Sequence, residues 1–370
     1  MSERRIIIAG GGTGGHIFPA VAVGHALQRL QPGTRLLFVG AKGKMEMERV
    51  PQEGFEIVGL DIAGFNRSNL LKNITLPVKL LKSRMEARDI IKKFKPGAVV
   101  GVGGFASFPV MNAAQGMNIP TLIQEQNSYA GKSNKILGRK AVAACVAYEH
   151  MDKFFPADKI MMTGNPVRSS IAQMSRTSEE GKKFFGLKGD VKTILVVGGS
   201  LGAKSVNEAI DAGLDALMKE PVQLLWQTGK PYFEQAQKSA AAYQGRVVVQ
   251  PFIRDMDYAY AAADVVISRA GALAIAELCI AGKPVIFVPY PHAAEDHQTS
   301  NAMALVNKNA ALMVPDNEVK TRLITTVTDL LHNDGQQQQM AGNINKLAIK
   351  DADIRIAEKV LEIANYSRWM

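Results

Sequence analysis

Short runs of β-branched and aliphatic residues alternate with longer helical patterns along the whole chain. RIIIAG, TRLLFVG, GAVVGVGG and TLIQEQ read as strands, and so do KTILVVGG, VQLLWQTG, RVVVQPF, DVVISRAG and KPVIFVPY further on. Strand and helix signals in alternation predict parallel sheets with helices on both faces. One unit recurs. RRIIIAGGGTGGHIFPAVAVGHAL and KTILVVGGSLGAKSVNEAIDAGL each read strand, glycine-rich turn, helix, and so open two doubly wound α/β domains. The Gly-Asn-Pro turn in TGNPVRSS marks the boundary between them. The expected division is 1–165, 166–345 and a terminal helical segment, 346–370, packing back across the first domain. Gln336 to Gln339 are expected in a surface linker.

A helix starting at Pro77 would carry two apolar stripes at about 100° per residue. Leu80, Ala87, Ile90, Ile91 and Phe94 form the stripe assigned to the core. Val78, Leu81 and Met85 form a second, roughly opposite stripe. From Asn66 to Lys95 nine basic residues face only Glu86 and Asp89. An apolar stripe flanked by Lys79, Lys82 and Arg84, with Leu70, Leu71 and Ile74 upstream, suits an anionic membrane surface. Each nearby base there adds about 1 kcal/mol of attraction. The alternative is that neighbouring helices bury both stripes.

Composition narrows the classes. The 370 residues are 47% hydrophobic and 21% charged, as in a folded chain with room for two cores. No run of about 18 apolar residues occurs, so a membrane-spanning helix is not expected. Cys145 and Cys279 lack metal-ligand spacing and suit a reducing compartment. The net charge of +10 favours anionic partners. A nucleic-acid partner is not expected, because aromatic residues are only 6% and no binding motif is present.

Gly10, Gly12 and Gly15 satisfy GxGxxG directly after a strand, where glycine lets the backbone approach an anion. A dinucleotide site also needs an acid at the end of the second strand. That strand ends in Gly40-Ala41-Lys42, which argues against NAD. His16, where the turn meets the helix, reads either as a turn-filling ring or as a general base for an attacking hydroxyl. In VVGGSLGAKS, Ala203 separates Gly202 from Lys204, so the NTPase phosphate-loop pattern fails, while Ser200 remains able to donate to a phosphate or sugar. In DVVISRAGALAIAELCIAGK, Gly271 opens a helix whose free N–H groups suit a diphosphate. Glu277, in its second turn, can accept both hydroxyls of a ribose or be a solvated helix residue. Gln298 and Asn301 in HQTSNA are candidate readers of sugar hydroxyls. Asp255-Met256-Asp257 resembles a metal-binding Asp-x-Asp pair in its letters only. It precedes a helical run, where capping is expected, and Asp351-Ala352-Asp353 falls in the terminal helix.

Taken in order, GGTGGHIFPA, GVGGFASFPV, EQNSYAGKSNK, TGNPVR, VVGGSLGAKSVN, SRAGALAIAE and HQTSNA closely resemble the MurG family of N-acetylglucosaminyltransferases. The likeness spans nearly the whole chain. It implies the GT-B fold, two Rossmann-like domains facing a cleft, and an inverting transfer without metal or other cofactor. The implied donor is UDP-N-acetylglucosamine (UDP-GlcNAc), held by the second domain. The implied acceptor is the lipid-linked muramoyl pentapeptide, held by the first. It implies substrate contacts at Thr13, Gly14, Gly15, Asn127, Arg168, Ser200, Ile253 (through its backbone to uracil), Ala272, Glu277 (to the ribose) and Gln298. His16 and Glu125 are the implied catalytic residues. Many relatives carry histidine where this chain has Gln124, which adds weight to His16 as the base. A peripheral place on the cytoplasmic face of the inner membrane, and work beside other cell-wall synthesis proteins in cell shape and division, follow from the same likeness. Another GT-B glycolipid synthase using a UDP-sugar is the alternative.

Overall fold

The computed structural model describes residues 4–62 and 76–366, which form two compact units. One unit runs to Arg168 and includes the segment from Asp351 onward; the other is Ser169–Lys350. The units therefore divide at residues 168 and 350.

The first unit holds seven parallel strands: β1 Arg5–Ala9, β2 Arg35–Ala41, β3 Ile57–Leu60, β4 Ala98–Gly101, β5 Thr121–Glu125, β6 Ala143–Val146 and β7 Ile160–Met162. Their order is β3-β2-β1-β4-β5-β6-β7. Ile6, Ile7, Val99, Val100, Leu122 and Ile123 are buried completely, because helices cover both faces of the sheet. The helix Gly14–Leu30 covers one face together with the terminal helix Ala352–Tyr366, whose Ile356, Ala357, Val360 and Ile363 join that core. Arg29 donates to Asp353 at 2.6 Å across this pair of helices.

The second unit repeats the plan with β8 Lys192–Val197, β9 Val222–Gln227, β10 Val247–Gln250, β11 Val265–Ser268, β12 Val285–Phe287 and β13 Leu312–Met313. The order is β10-β9-β8-β11-β12-β13, again all parallel. In both sheets the order reverses beside the first strand, between β1 and β4 and between β8 and β11. The loops leaving those strands diverge there, and ligands of open α/β sheets bind at such points.

Three local expectations need correction. Gln336 to Gln339 lie inside the helix Asp334–Asn345, and Gln337 is buried with its amide donating to the Leu330 carbonyl at 2.7 Å. Leu80 is exposed, and Ser83 takes the buried position instead, with Ala87, Ile91 and Phe94. Its hydroxyl donates to the Leu80 carbonyl at 3.0 Å, which makes burial of a polar side chain tolerable. Asp255 stands at the N-cap of the helix Met256–Ala262 but makes no side-chain capping bond.

Candidate active site

Every glycine-rich motif singled out from the sequence lies at a strand C-terminus beside one of the two switch points. In the first unit, Gly10, Gly11 and Gly12 follow β1, and Thr13 precedes the helix in extended conformation. The turn after β4 packs against it so closely that a side-chain carbon on Gly104, at φ +78°, would collide with the Gly11 carbonyl. Thr13 and Gly15 are exposed, and Gly14 and His16 are half-buried. The Thr13 hydroxyl and His16 Nδ1 lie 3.2 Å apart. The other side of the imidazole rests on Gly103, where a Cβ would lie 2.9 Å from Nε2. The ring is thus held on two sides by features that only this turn chemistry provides.

The turn also holds a residue that sequence reasoning missed. Glu46, buried at the start of the helix Glu46–Gln52, accepts from Gly12 N–H at 2.9 Å and from Ala41 N–H at 3.0 Å. The acid that β2 lacks at its end is supplied one short loop later, and it grips the turn's backbone.

Glu125 ends β5 and is buried. One oxygen accepts from the Asn127 backbone at 3.1 Å and its side chain at 3.4 Å; the other accepts from Gly131 N–H at 3.1 Å and the Asn134 amide at 2.8 Å. Burial raises its pKa, and the bonds from Asn134, Asn127 and Gly131 oppose that rise. This carboxylate, expected as catalytic, is bonded to the loop from Asn127 to Asn134 and organises it. Beside it runs a buried chain of amides. Gln124 donates to Asn165 at 3.0 Å, Asn165 to the Gln126 carbonyl at 2.9 Å, and Gln126 to the Val102 carbonyl at 2.7 Å and to Gln124. Gln124 is therefore a structural amide tying β5 to Asn165 after β7, while Gln126 ties the same stretch to the turn after β4. Arg168 is half-buried at the end of this unit.

In the second unit the turn Gly198–Gly202 leaves β8 with Ser200 exposed and Leu201 81% exposed. Gly202 and Gly229 have φ of +78° and +74°, and a Cβ on either would strike the backbone of the other's turn. Gln227, buried at the end of β9, donates to the Gly199 carbonyl at 3.0 Å and accepts from Ile253 N–H at 2.8 Å. The N–H of Ile253, half of the expected backbone contact, is thus engaged within the protein. Ala272 begins the helix Ala272–Ala281 after Gly271. Glu277 is only 7% exposed and accepts from the Tyr260 hydroxyl at 3.1 Å, which rules out a solvated helix residue. Gln298 is half-buried and accepts from Tyr290 N–H at 2.9 Å. Asn301 is completely buried and its amide lies 3.4 Å from the Ala270 carbonyl, where it supports the loop after β11.

Arg269 is a second residue with no sequence signal. Its guanidinium donates to Asp316 at 2.5 Å, to Ser205 at 3.0 Å and to the carbonyls of Val288 and Pro289 at 3.1 and 3.0 Å. It therefore locks the ends of β11 and β12 to the helix after the glycine turn. Among the described residues, no three His, Cys, Asp or Glu side chains gather as metal ligands would. Asp257 pairs with Arg176, Asp351 with Arg355 and Asp353 with Arg29.

On the helix Leu76–Phe94, Leu81 and Met85 are 62% and 61% exposed. Arg84 is exposed, Lys79 half-buried, and Lys82 lies 3.7 Å from Asp61 and 4.0 Å from Glu86. Leu70, Leu71 and Ile74 lie outside the described residues, and the side chain of Val78 does as well. No helix among the described residues is long and apolar enough to cross a membrane.

Two all-parallel doubly wound units, each with a glycine turn at its switch point, are the Rossmann-like pair of domains found in GT-B glycosyltransferases. Residues 6–146 match the glycosyltransferase family 28 N-terminal domain and residues 193–356 its C-terminal domain. Curated relatives named "UDP-N-acetylglucosamine--N-acetylmuramyl-(pentapeptide) pyrophosphoryl-undecaprenol N-acetylglucosamine transferase" are very similar. That of Parabacteroides distasonis is 50% identical over 98% of this chain and 99% of its own length. That of Bacteroides thetaiotaomicron is 51% identical over 98% of each. The crystal structure of Acinetobacter baumannii MurG superposes with a TM-score of 0.78 at 31% identity, over 97% of this chain and 99% of that one. The chain belongs to glycosyltransferase family 28, in its MurG branch.

Proposed function

We infer that this chain transfers N-acetylglucosamine from UDP-GlcNAc to the 4-hydroxyl of the muramoyl sugar of undecaprenyl-pyrophosphoryl-MurNAc-pentapeptide, inverting the anomeric carbon. Near-full-length likeness to relatives carrying that name supports the reaction. The observation that carries the placement of the donor is Glu277. It is a nearly buried carboxylate one turn inside a helix whose glycine-opened N-terminus lies at the β8/β11 switch point. The N–H groups of that opening and of the turn bearing Ser200 receive the diphosphate, and Glu277 accepts from the ribose hydroxyls. Ala272, Gln298 and the Ile253 carbonyl complete the donor contacts of the second unit; within the first unit, Arg168, Asn127 and the turn Thr13–Gly15 are the assigned substrate contacts.

In the chemical step the acceptor oxygen bonds to the anomeric carbon as the bond from that carbon to the diphosphate oxygen breaks. UDP leaves with the electron pair, and the hydroxyl proton passes to His16 Nε2. That role requires the tautomer in which Nδ1–H donates to the Thr13 hydroxyl. Backbone N–H groups stabilise the leaving diphosphate in place of a metal. Leu81 and Met85, flanked by Lys79, Lys82 and Arg84, seat the first unit on the anionic cytoplasmic face of the membrane that holds the acceptor. Calorimetry with UDP tests the donor site. One UDP bound per chain is expected, and no binding to folded protein defeats the reading.

A further inference from the structure

The two glycine turns look alike in sequence, yet opposite chemistry lies behind them. Behind the second, Gln227 is a neutral amide that donates to the Gly199 carbonyl. Behind the first stands Glu46, 1% exposed, with one oxygen on Gly12 N–H and the other on Ala41 N–H. Its side chain fills the space over Gly11 and Gly40, where any added Cβ would collide with it. In strand–turn–helix nucleotide sites, N–H groups of this turn receive a phosphate. In the first unit a carboxylate of the protein already takes that bond.

We propose that Glu46 is a positioning residue: an internal anion that seals the first turn against phosphate and fixes the backbone carrying Thr13 and His16. Gly12 adjoins Thr13, whose hydroxyl pairs with His16 Nδ1 at 3.2 Å. Slack at Gly12 is therefore slack in the imidazole. A group held by one fewer bond spends less time in the reactive geometry, and small displacements of that kind lower turnover steeply. The effect on turnover rests on His16 acting as the base, whereas the sealing of the turn does not.

Two measurements test this. In the wild-type protein, amide exchange followed by NMR should find the Gly12 N–H protected relative to that of Thr13, and unchanged by millimolar inorganic phosphate. A Gly12 N–H that exchanges as fast as its neighbour, or that shifts on phosphate addition, overturns the proposal. Glu46→Gln keeps the shape but turns an NH2 toward one of the two N–H groups. It should lower kcat about tenfold, the worth of roughly one hydrogen bond, while KM for UDP-GlcNAc and UDP affinity stay within about twofold. Glu46→Asp, which keeps the charge on a shorter arm, should fall between. Full kcat in folded Glu46→Gln overturns the proposal, and so does a matching loss of UDP affinity. Wild-type protein without transfer activity would sink the proposed function and leave the Gly12 measurement standing.

Discussion

The proposed base role of His16 needs the tautomer with the proton on Nδ1, which the Thr13 hydroxyl 3.2 Å away can accept. His16→Ala should lower kcat by about 10²-fold, within the range for positioned proton transfer, with an unchanged melting temperature. A normal kcat would remove His16 from the mechanism. Glu277→Ala removes the carboxylate that Tyr260 holds. Losing hydrogen bonds to a charged group costs about 1.5–3 kcal/mol, so KM for UDP-GlcNAc should rise about 10- to 100-fold. An unchanged KM would place the ribose elsewhere. Glu125 makes a prediction about pH. Its pKa is raised by burial, so the folded chain binds this proton more tightly than the unfolded chain does. That contribution favours the fold below the unfolded value and is lost as pH rises through the folded one. The melting advantage of the wild type over Glu125→Gln should accordingly shrink from acid toward neutral pH; an advantage that grows contradicts the assignment. Glu46 and Arg269 show why parts of the site were not legible. Glu46 meets Gly12 across 34 positions and Arg269 meets Asp316 across 47, and nothing local distinguishes a buried carboxylate or guanidinium from a solvated one.

At the scale of elements, the turns were readable because only glycine tolerates the backbone approaches found at Gly104, Gly202 and Gly229. The helix Leu76–Phe94 was readable in part. Its buried stripe of Ala87, Ile91 and Phe94 follows the helical period, but Ser83 on the same face carries no apolar signal, so Leu80 was expected in the place that Ser83 takes. The exposed pair Leu81 and Met85 marks the opposite face. Replacing Lys79, Lys82 and Arg84 by glutamate should release the protein from anionic vesicles, with about 1 kcal/mol lost for each base removed near the surface. Part of the Lys82 charge already meets Asp61 and Glu86, so the Arg84 change should weigh more. Binding that survives all three reversals would refute a membrane role for this face.

Across the whole molecule, fully buried parallel strands give apolar runs long enough to read, and the strand–turn–helix repeat marks where each sheet begins. The place of the terminal helix in the first core depends on Ile356, Val360 and Ile363, whose spacing indicates an apolar face without naming its partner. Both turns carry a Gly-Gly pair after the strand and a further glycine three residues on, but Gly12 and Gly15 of the first stand where the second has Ser200 and Ala203. What lies behind each turn, Glu46 or Gln227, comes from residues far away in the chain. The proposed role of backbone N–H groups at the leaving diphosphate predicts that removal of divalent metal leaves turnover intact; loss in EDTA restored by Mg²⁺ would contradict it. The most direct test offers the full-length protein UDP-GlcNAc or UDP-GalNAc with the undecaprenyl-linked muramoyl pentapeptide and follows sugar on the lipid and UDP released. Transfer of N-acetylglucosamine with one UDP per sugar, and little transfer from UDP-GalNAc, is the predicted result. UDP release with no sugar on the lipid, or no reaction from folded protein, would contradict the account.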